Sequence, residues 1–353
     1  MEKIAKRFCM SGELVKCEKH GLGHINRTFC VTTDNGRRYL LQSINTRVFP
    51  DVAALMENIG RVTRYIAARS ETPERCLTLI PTRDGADYIT DEQGESWRMF
   101  AFLENSLCLQ APETAADFYE SAVGFGEFQR MLADFPAETL HETIADFHNT
   151  PVRFAQLHAA IAADPLGRLA SVSREVEFAL SQEASAGVLQ QMRDSGALPL
   201  RVTHNDTKLN NVMFDAATRK AMCVIDLDTV MPGLVAYDFG DAIRFGASTA
   251  VEDERELDKV GLDMQMYEAF ASGFLAACPP MSEAERDSLA EGARLMTLEN
   301  GIRFLADHLL GDVYYSIDRP GHNLDRARTQ FKLLREMNER MDEMRAVVRR
   351  AAL

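Results

Sequence analysis

The sequence lacks several features that would point towards a secreted, membrane-bound or metal-clustered protein. Its seven cysteines are scattered and include no C-x-x-C pair, so neither a zinc site nor a disulfide framework is indicated. Reduced thiols in a cytoplasm are therefore expected. No apolar run approaches the length of a membrane span, and residues 1–14 have no apolar segment of the kind found in signal peptides.

Positive charge is also in the minority, since 39 Lys and Arg stand against 53 Asp and Glu, for a net charge of −14. This balance disfavours binding to nucleic acid or to a membrane surface, both of which need clustered basic residues. It leaves room for a local pocket that binds a phosphorylated nucleotide. Among the eight histidines, His141, His148 and His158 lack ligand neighbours at metal-binding spacing, so we expect them at the surface or at helix caps.

The first hundred residues alternate between strand-like and turn-like stretches. Residues 26–45 predict a hairpin around an Asp-Asn-Gly turn, because Asn and Gly tolerate positive φ. Residues 49–70 carry apolar side chains at helical spacing and predict one helix. A second hairpin is expected with its turn at Gln93-Gly94. Five short strands and one helix would form a small α+β lobe over residues 1–103.

The pattern changes after residue 103. We expect a hinge over residues 104–110 and a larger, mostly helical lobe over residues 111–353, interrupted by two short strands in "LRVTHND" and "KAMCVIDLD". An apolar stripe over residues 324–348 predicts one final helix that packs on this lobe, in preference to a coiled-coil dimer. The larger lobe would carry the catalytic and acceptor-binding residues.

The most informative stretch is "RVTHNDTKLNNVMFD", which fits the pattern H-x-D-x-x-x-x-N with His204, Asp206 and Asn211. A strand delivers the histidine, and the loop that follows can turn the aspartate and the asparagine towards one cavity. Phosphoryl transfer needs a carboxylate that orients or deprotonates the attacking hydroxyl, and an oxygen ligand nearby for magnesium. We expect His204 to hold the loop by hydrogen bonding.

A second metal ligand is expected from the next strand. Residues 221–225 form a short apolar run that ends in Asp226, 15 residues after Asn211, which leaves room for one hairpin. We therefore predict that Asn211 and Asp226 bind Mg²⁺, which accepts a few protein oxygens and keeps several waters. Asp228 either supports this ligand or binds a second metal ion.

The letters D-F-G, which bind magnesium in protein kinases, occur at residues 238–240. Here they lie 27 residues beyond Asn211, past a Pro-Gly break, at the predicted start of a helix. A carboxylate at that place caps exposed N–H groups and complements the helix dipole. We therefore expect Asp238 and Asp241 to be structural.

The blocks "HNDTKLNN" and "VIDLD" resemble the aminoglycoside phosphotransferase and choline kinase family, relatives of protein kinases that phosphorylate small molecules. "GLGHINRTF", "WRMFAFLE", "IDLDTVMPG" and "GIRFLADHLLGDVYY" resemble the N-acetylhexosamine 1-kinases within it, and the similar blocks span residues 21 to 334. The resemblance implies an α+β, protein-kinase-like fold of two lobes, with a small β-rich N-terminal lobe and a large, mainly helical C-terminal lobe. It also implies ATP- and Mg²⁺-dependent transfer to the anomeric hydroxyl of N-acetylglucosamine or N-acetylgalactosamine.

The resemblance also implies roles for individual residues, with Asp206 as the base and Asn211 and Asp226 as metal ligands. Arg303 and Tyr314 would contact the sugar, and on one helix their spacing of 11 residues would place them on the same face. The nucleotide would be bound by a phosphate-covering loop and an adenine-contacting hinge: Gly21, Gly23, His24 and Asn26 in the loop, and Phe102, Leu103 and Glu104 in the hinge.

One position departs from the wider kinase pattern. The third strand should carry a lysine that binds the α- and β-phosphates, but "YLLQSIN" has Gln42 there. A neutral amide can donate hydrogen bonds to a nucleotide but supplies no charge. Lys208, two residues after the base, and the backbone N–H groups of the loop at residues 21–26 could compensate.

Two other functions stay open at this point. A kinase of the same fold could act on a cationic amine, such as an aminoglycoside or choline, although the positive charge of Arg303 speaks against a cationic acceptor. A pseudokinase could bind nucleotide or sugar without turnover, which Gln42 slightly favours. The intact set of Asp206, Asn211 and Asp226 argues against that second alternative.

Overall fold

The computed structural model describes residues 1–21 and 26–352. Its N-terminal part is an antiparallel sheet in the strand order β1-β2-β3-β5-β4, and a short helix, α1 (Glu2–Ala5), precedes it. The five predicted strands are thereby confirmed. Their bounds are Leu14–Lys19 for β1, Arg27–Thr33 for β2, Arg38–Ile44 for β3, Ile89–Thr90 for β4 and Ser96–Ala101 for β5.

Both hairpins turn where the sequence predicts, and for the predicted reason. Between β2 and β3, Gly36 adopts φ 81°, and the Oδ1 atom of Asn35 accepts the N–H of Arg37 at 3.1 Å. Between β4 and β5, Gly94 adopts φ 81°, and the Oδ1 atom of Asp91 accepts a backbone N–H at 2.9 Å. Glycine supplies the positive φ and a neighbouring Asn or Asp satisfies the exposed backbone.

The predicted helix of this region is α2 (Val52–Ala67), which begins where Asp51 caps the N–H of Ala54 at 2.9 Å. Its apolar face packs between the sheet and the helical part of the chain. Asn58 is fully buried on the same helix, and its amide bonds the backbone of His141 in both directions and the carbonyl of Val230. The helix therefore fixes the sheet to the helical region.

The helical region is built around α9, a 28-residue helix that begins with a capping box at Ser282 and ends at Gly311. Glycines let α7 approach it closely, because a Cβ on Gly240 would lie 2.3 Å from the carbonyl oxygen of Gly292. The helices are α3 (Ala115–Met131), α4 (Thr150–Ala163), α5 (Ser173–Ser181), α6 (Val188–Asp194), α7 (Val235–Gly246), α8 (Met264–Ala277), α9 (Glu283–Leu310), α10 (His322–Glu339) and α11 (Met341–Ala351).

Two small antiparallel sheets pack against the helical region. The first has the order β6-β8-β9, and β8 and β9 form the hairpin predicted between Asn211 and Asp226. The second pairs β7, which leads into the predicted catalytic loop at residues 204–211, with β10. Their bounds are Ser106–Cys108 for β6, Arg201–Thr203 for β7, Val212–Asp215 for β8, Ala221–Val224 for β9 and Met231–Gly233 for β10.

The apolar stripe over residues 324–348 packs into the core of its own chain, but the prediction of a single helix is wrong. The helix ends at Glu339, and α11 starts at Met341 after Arg340, whose ψ of 14° departs from helical values. Phe331 packs against α9, whereas Leu333, Met337 and Met344 join the part of the core that includes α8. Both helices therefore bury apolar side chains of the stripe in the core of their own chain.

The described residues contain no helix with the length and apolar character that a membrane crossing requires. All seven cysteines lie within those residues, and none of them forms a disulfide.

Candidate active site

His204 ties the catalytic loop to the end of β9. Its buried ring contacts the carbonyl oxygen of Ile225 through Nε2 at 2.9 Å, and Nδ1 faces the N–H of Asp206 at 3.3 Å. A carbonyl can only accept and an N–H can only donate, so Nε2 carries the proton and Nδ1 is the acceptor. The predicted loop-holding role of His204 is confirmed.

Asp238 binds the backbone of the same loop. Its carboxylate accepts the N–H groups of His204 at 3.0 Å and Asn205 at 2.8 Å, and the amide of Gln129 at 2.7 Å. Asp238 lies in the first turn of α7, but the expectation that it caps that helix is wrong, because Leu234 occupies the cap without a side-chain bond. Burial raises the pKa of Asp238, and the three donors and His204 oppose that rise.

Asp241 anchors the far side of the loop. One carboxylate oxygen accepts the N–H of Thr207 at 3.0 Å, and the other binds the guanidinium of Arg244 at 2.9 Å. Arg244 also binds Glu252 at 2.7 Å, so its charge is shared between two acids. Both acidic residues around the letters D-F-G therefore bind loop backbone, as the prediction of structural roles requires.

The loop presents Asp206 to the cleft with its side chain 28% exposed. Lys208 Nζ lies 2.9 Å from its Oδ1 atom, and the Asn211 amide donates to its carbonyl oxygen at 2.8 Å and to Oδ2 at 3.2 Å. Burial acts to raise the pKa of Asp206, but the charge and hydrogen bond of Lys208 and the nearby His204 outweigh it and hold the pKa below its usual range. Asp206 is thus ionised at neutral pH.

Asp226 follows β9 directly, in the left-handed conformation with φ 61°. The N–H of the preceding Ile225 donates to the carbonyl oxygen of Asn211 at 2.9 Å, so the two loop ends adjoin. Solvent reaches the Asp226 side chain through the cleft, and protein surrounds it on its other sides. Burial, followed by the charges of Asp228 and Asp206, raises its pKa to about 6. A non-glycine residue with positive φ beside clustered carboxylates is typical of a functional site.

The donor atoms around this cleft suit magnesium. Carboxylate and amide oxygens are its preferred ligands, and the Asn211 amide nitrogen is already bonded to Asp206, which leaves Oδ1 for a metal. Desolvation, and then the charges of Asp228 and Asp206, raise the pKa of Asp226, and a bound cation would favour its ionised carboxylate. Within residues 1–21 and 26–352, no three His, Cys, Asp or Glu side chains form a metal cage alone. An ion sharing phosphate oxygens of a nucleotide needs no such cage.

Asp228 is engaged by the N-terminal sheet. Its Oδ1 forms an ion pair with Nη1 of Arg98, and its Oδ2 accepts the amide of Asn26 at 2.7 Å. Asp228 and Arg98 are 4% and 1% exposed, so both charges are withdrawn from water. Of the two alternatives for Asp228, the structure favours support of the neighbouring Asp226, since both of its oxygens have protein partners.

Gln42 lies opposite Arg98 in the register of β3 and β5. Its Oε1 accepts from Nε of Arg98 at 3.1 Å, and its Nε2 donates to the hydroxyl of Thr28 at 3.1 Å. The amide predicted to contact the nucleotide is therefore bonded within the sheet. Sequence reasoning missed Arg98, although a single charged residue within the otherwise apolar stretch "WRMFAF" is a usable signal.

The predicted nucleotide loop is described at its ends. Gly21 has φ 74°, which glycine adopts without strain, whereas Gly23 and His24 lie outside the described residues. Asn26 has two protein partners, since its Nδ2 binds Asp228 and its Oδ1 accepts the N–H of Asn45 at 3.1 Å. The end of the loop is thereby fixed to both lobes.

The predicted hinge follows β5. Phe102 packs edge-on to His20, with ring centroids 5.7 Å apart, and under the guanidinium of Arg38 at 3.9 Å. Leu103 is buried, whereas Glu104 is exposed and pairs with Arg38. The side chain of Glu104 is thus directed to β3, and the N–H of Phe102 donates to the carbonyl oxygen of Arg38 at 3.1 Å.

Arg303 and Tyr314 meet in space, but the expectation that one helix carries both is wrong. The helix ends at Leu310, where Gly311 takes φ 102°. The carboxylate of Asp307 then accepts the N–H groups of three successive residues at 2.8–3.0 Å: Val313, Tyr314 and Tyr315. This folds the chain back, so that the Arg303 guanidinium lies 6.0 Å from the ring centroid of Tyr314.

Two further aromatic rings surround Arg303, namely those of Phe147 and Tyr315, each 5.6 Å from its guanidinium. Arg153 adds a second cation, with Nη2 donating to the carbonyl of Phe147 at 2.7 Å and a buried Nε that has no partner among the described residues. Burial, then the charge of Arg303, lowers the pKa of Arg153. This wall of the site is therefore cationic and aromatic.

The predicted surface position of His148 is wrong. The ring is buried between the carboxylate of Glu299, 3.0 Å from Nδ1, and the carbonyl oxygen of Asn205, 3.1 Å from Nε2. Glu299 lies one helical turn before Arg303, so His148 connects the catalytic loop to the Arg303 wall. No spacing in the sequence could reveal a contact between residues so far apart along the chain.

A family model and several solved structures are similar to this chain. The model of the phosphotransferase enzyme family, APH, matches residues 16–271. A microcompartment-associated aminopropanol kinase is similar in structure, at 15% identity with 97% of each chain covered and a TM-score of 0.60. An aminoglycoside phosphotransferase from Alicyclobacillus acidocaldarius subsp. acidocaldarius DSM 446 is similar at 14% identity, covering 100% of this chain and 96% of that chain, with a TM-score of 0.61. An amicoumacin kinase in complex with AMP-PNP, Ca²⁺ and Ami is similar at 12% identity, covering 94% and 91%, with a TM-score of 0.60.

At these identities the solved structures show the fold alone, and they confirm the predicted α+β, protein-kinase-like class. The family model reaches further, because it spans more than half of the chain and includes the catalytic loop and the β8–β9 hairpin. The chain therefore belongs to the phosphotransferase enzyme family, a kinase-like group of transferases.

Proposed function

We propose that this protein transfers the γ-phosphoryl group of ATP, with Mg²⁺, to the anomeric hydroxyl of an N-acetylhexosamine and yields the sugar 1-phosphate. The observation that carries the transfer step is the meeting of two loop ends that hold Asp206, Asn211 and Asp226 around one cleft. The resemblance to the N-acetylhexosamine 1-kinases supports the acceptor.

Asp206 would bind the C1 hydroxyl and take its proton as the phosphoryl group leaves. Its ionised state, maintained by Lys208, suits it for accepting that hydrogen bond. Its low pKa makes it a weak base, so orientation of the hydroxyl would be its larger contribution. Lys208 would keep Asp206 charged and fixed.

Asn211 Oδ1 and the carboxylate of Asp226 would hold the magnesium ion. Magnesium bound there would neutralise charge on the phosphates during transfer. The loop at residues 21–26 would cover the phosphates, and the hinge at residues 102–104 would contact adenine. The nucleotide-binding lobe would cover residues 1–103, the hinge residues 104–110, and the catalytic and acceptor-binding lobe residues 111–353.

The Arg303 wall supports an uncharged acceptor. Tyr314, which is 63% exposed, offers an aromatic face for the C–H side of a sugar ring, and Arg303 offers donors for ring or acetamido oxygens. A cationic acceptor would meet two arginines, Arg303 and Arg153, and the neighbouring acid Glu299 already binds His148 and Thr150. An amine acceptor is therefore disfavoured, even though one structural neighbour is an aminopropanol kinase.

One assay tests the proposal against both alternatives. ADP release is measured with Mg·ATP and either N-acetylglucosamine, N-acetylgalactosamine, glucosamine, aminopropanol, choline or no acceptor. We expect turnover with one or both N-acetylhexosamines, and ³¹P NMR of the product should show a 1-phosphate. Turnover restricted to an amine would identify the amine kinase, and nucleotide binding without turnover would identify the pseudokinase.

A further inference from the structure

We propose that the Arg98–Asp228 ion pair takes the place of the third-strand lysine and its helix glutamate, and that it positions the metal loop for binding Mg·ATP. In protein kinases that lysine–glutamate pair must be in place for the nucleotide site to be competent. Here the third strand carries Gln42, and α2 presents the amide of Asn58 to the backbone of the helical region. The inference rests on the proposed use of Mg·ATP and not on the identity of the acceptor.

Arg98 occupies the right place for this role. It lies on β5 directly opposite Gln42 on β3, and side chains directly opposite on adjacent strands share one face of the sheet. On that face Leu40 and Phe100 pack with α2 and the helical region, so the face is the one turned to the cleft. The guanidinium is therefore one strand away from the position of the missing lysine.

The pair joins the two parts of the nucleotide site. Arg98 is held by Gln42 at Nε and by Asp228 at Nη1, while the second oxygen of Asp228 is held by Asn26. Asp228 is two residues from Asp226, and Asn26 closes the predicted phosphate-covering loop. One buried carboxylate thereby connects β5, the end of the phosphate loop and the metal loop.

Because the Arg98–Asp228 pair is buried, its loss would affect the position of the metal loop as well as the stability of the protein. Removing one partner of an ion pair that is almost fully withdrawn from water is costly, because the other charge is left buried without compensation. Pairing with Arg98 also engages the Asp228 carboxylate, so that of these two acids Asp226 would face the metal beside Asn211. The pair thus acts through Asp226, and Arg98 and Asp228 are positioning residues.

The test compares nucleotide binding with and without metal, using no acceptor. In Arg98→Met we expect the Kd for Mg·ATP to rise about tenfold or more, as for loss of one buried ionic contact, while the Kd for ATP in EDTA changes by less than about threefold. A general loss of fold would weaken both. Arg64→Met, which removes the ion pair between the exposed Arg64 on α2 and Asp87, is the matched control and should change neither value.

Two double variants keep the test informative if Arg98→Met folds poorly. Arg98→Met with Asp228→Asn removes both buried charges and should regain stability but not Mg·ATP affinity. Arg98→Met with Gln42→Lys returns a cation from the neighbouring strand and should restore the Kd for Mg·ATP to within about threefold of the parent.

Two outcomes would overturn the inference. One is an Arg98→Met protein whose Kd for Mg·ATP stays near the parent value. The other is full recovery of that Kd in the Arg98→Met, Asp228→Asn protein, because Arg98 would then merely offset the charge of Asp228. Absence of sugar phosphorylation by the parent protein would sink the proposed acceptor and leave this binding result unaffected.

Discussion

Lys208 Nζ lies 2.9 Å from Oδ1 of Asp206, and this contact keeps the carboxylate at the centre of the site ionised. The amide of Asn211 holds the same carboxylate from the other side. The central acid is thus oriented by two neighbours from its own loop.

Replacing the central acid should stop the reaction without removing the nucleotide. In Asp206→Asn we expect kcat to fall about 100-fold or more, because the acceptor hydroxyl loses its proton acceptor. The Kd for Mg·ATP should stay within about threefold. Steady-state kinetics and nucleotide titration measure the two effects, and a near-normal kcat would remove Asp206 from its assigned role.

Removing the lysine should change the pH profile. Lys208 holds the pKa of Asp206 low, so in Lys208→Met that pKa rises. Activity needs the ionised form and falls as pH falls through this pKa, hence the acid limb of the kcat profile should move to higher pH. Exposed Lys259→Met serves as control. An unchanged acid limb in a folded Lys208→Met protein would contradict the prediction.

Asp226→Asn should stabilise the protein without metal. The pKa of Asp226 is about 6 in the folded protein against an ordinary 3.8, so its ionised form lowers folded stability above pH 6 and has no such effect below 3.8. Water in the cleft screens part of this effect. We therefore expect a gain in Tm of about 1–2 °C at pH 7.5 that vanishes near pH 4.

The neighbouring acid provides the contrast. Asp228→Asn should lower Tm at pH 7.5, because it leaves the buried guanidinium of Arg98 without its counter-charge. Differential scanning fluorimetry in EDTA compares both variants at the two pH values. A lower Tm of Asp226→Asn at pH 7.5 would contradict the prediction, because it would show that the ionised Asp226 does not destabilise the folded protein.

Asp238→Ala should mainly lower stability, since it leaves the loop N–H groups of His204 and Asn205 buried without acceptors. The free energy of unfolding should fall by about 2–4 kcal/mol, as for two unsatisfied buried donors. Urea denaturation measures it, with the fully exposed Asp342→Ala as the matched control. Loss of metal binding in a stable Asp238→Ala protein would instead place the D-F-G letters in the metal site.

The Arg303 wall should determine the use of the acceptor. In Arg303→Met we expect KM for the N-acetylhexosamine to rise about tenfold, since hydrogen bonds from a charged donor are lost, with KM for ATP unchanged. Arg345→Met on the exposed face of α11 is the control. Equal changes in both KM values would indicate a structural effect.

The sequence was sufficient to predict what depends on local spacing. The hairpins follow from Asn-Gly and Gln-Gly turns, and the group of Asp206, Asn211 and Asp226 follows from a strand–loop–hairpin whose ends must adjoin. Asp226 could be predicted as the metal ligand in preference to Asp238, because an apolar strand ends at Asp226 whereas a helix begins near Asp238.

Contacts between distant segments could not be predicted in this way. Arg98 meets Asp228 across 130 positions and His148 meets Glu299 across 151, and neither pair has a local pattern. Tyr314 reaches Arg303 through a reversal at Gly311 that helical periodicity does not contain. Such contacts arise from tertiary packing, which local propensities do not specify.

Asp307 fixes residues 313–315 through three backbone N–H groups, so the aromatic arm beside Arg303 is set before any acceptor arrives. An acceptor then loses little free energy to ordering of the protein, and its affinity reflects the contacts it makes. Val313 and Tyr314 are 75% and 63% exposed on this arm. Exchanging them could redirect acceptor preference while the helix and the catalytic loop stay as they are.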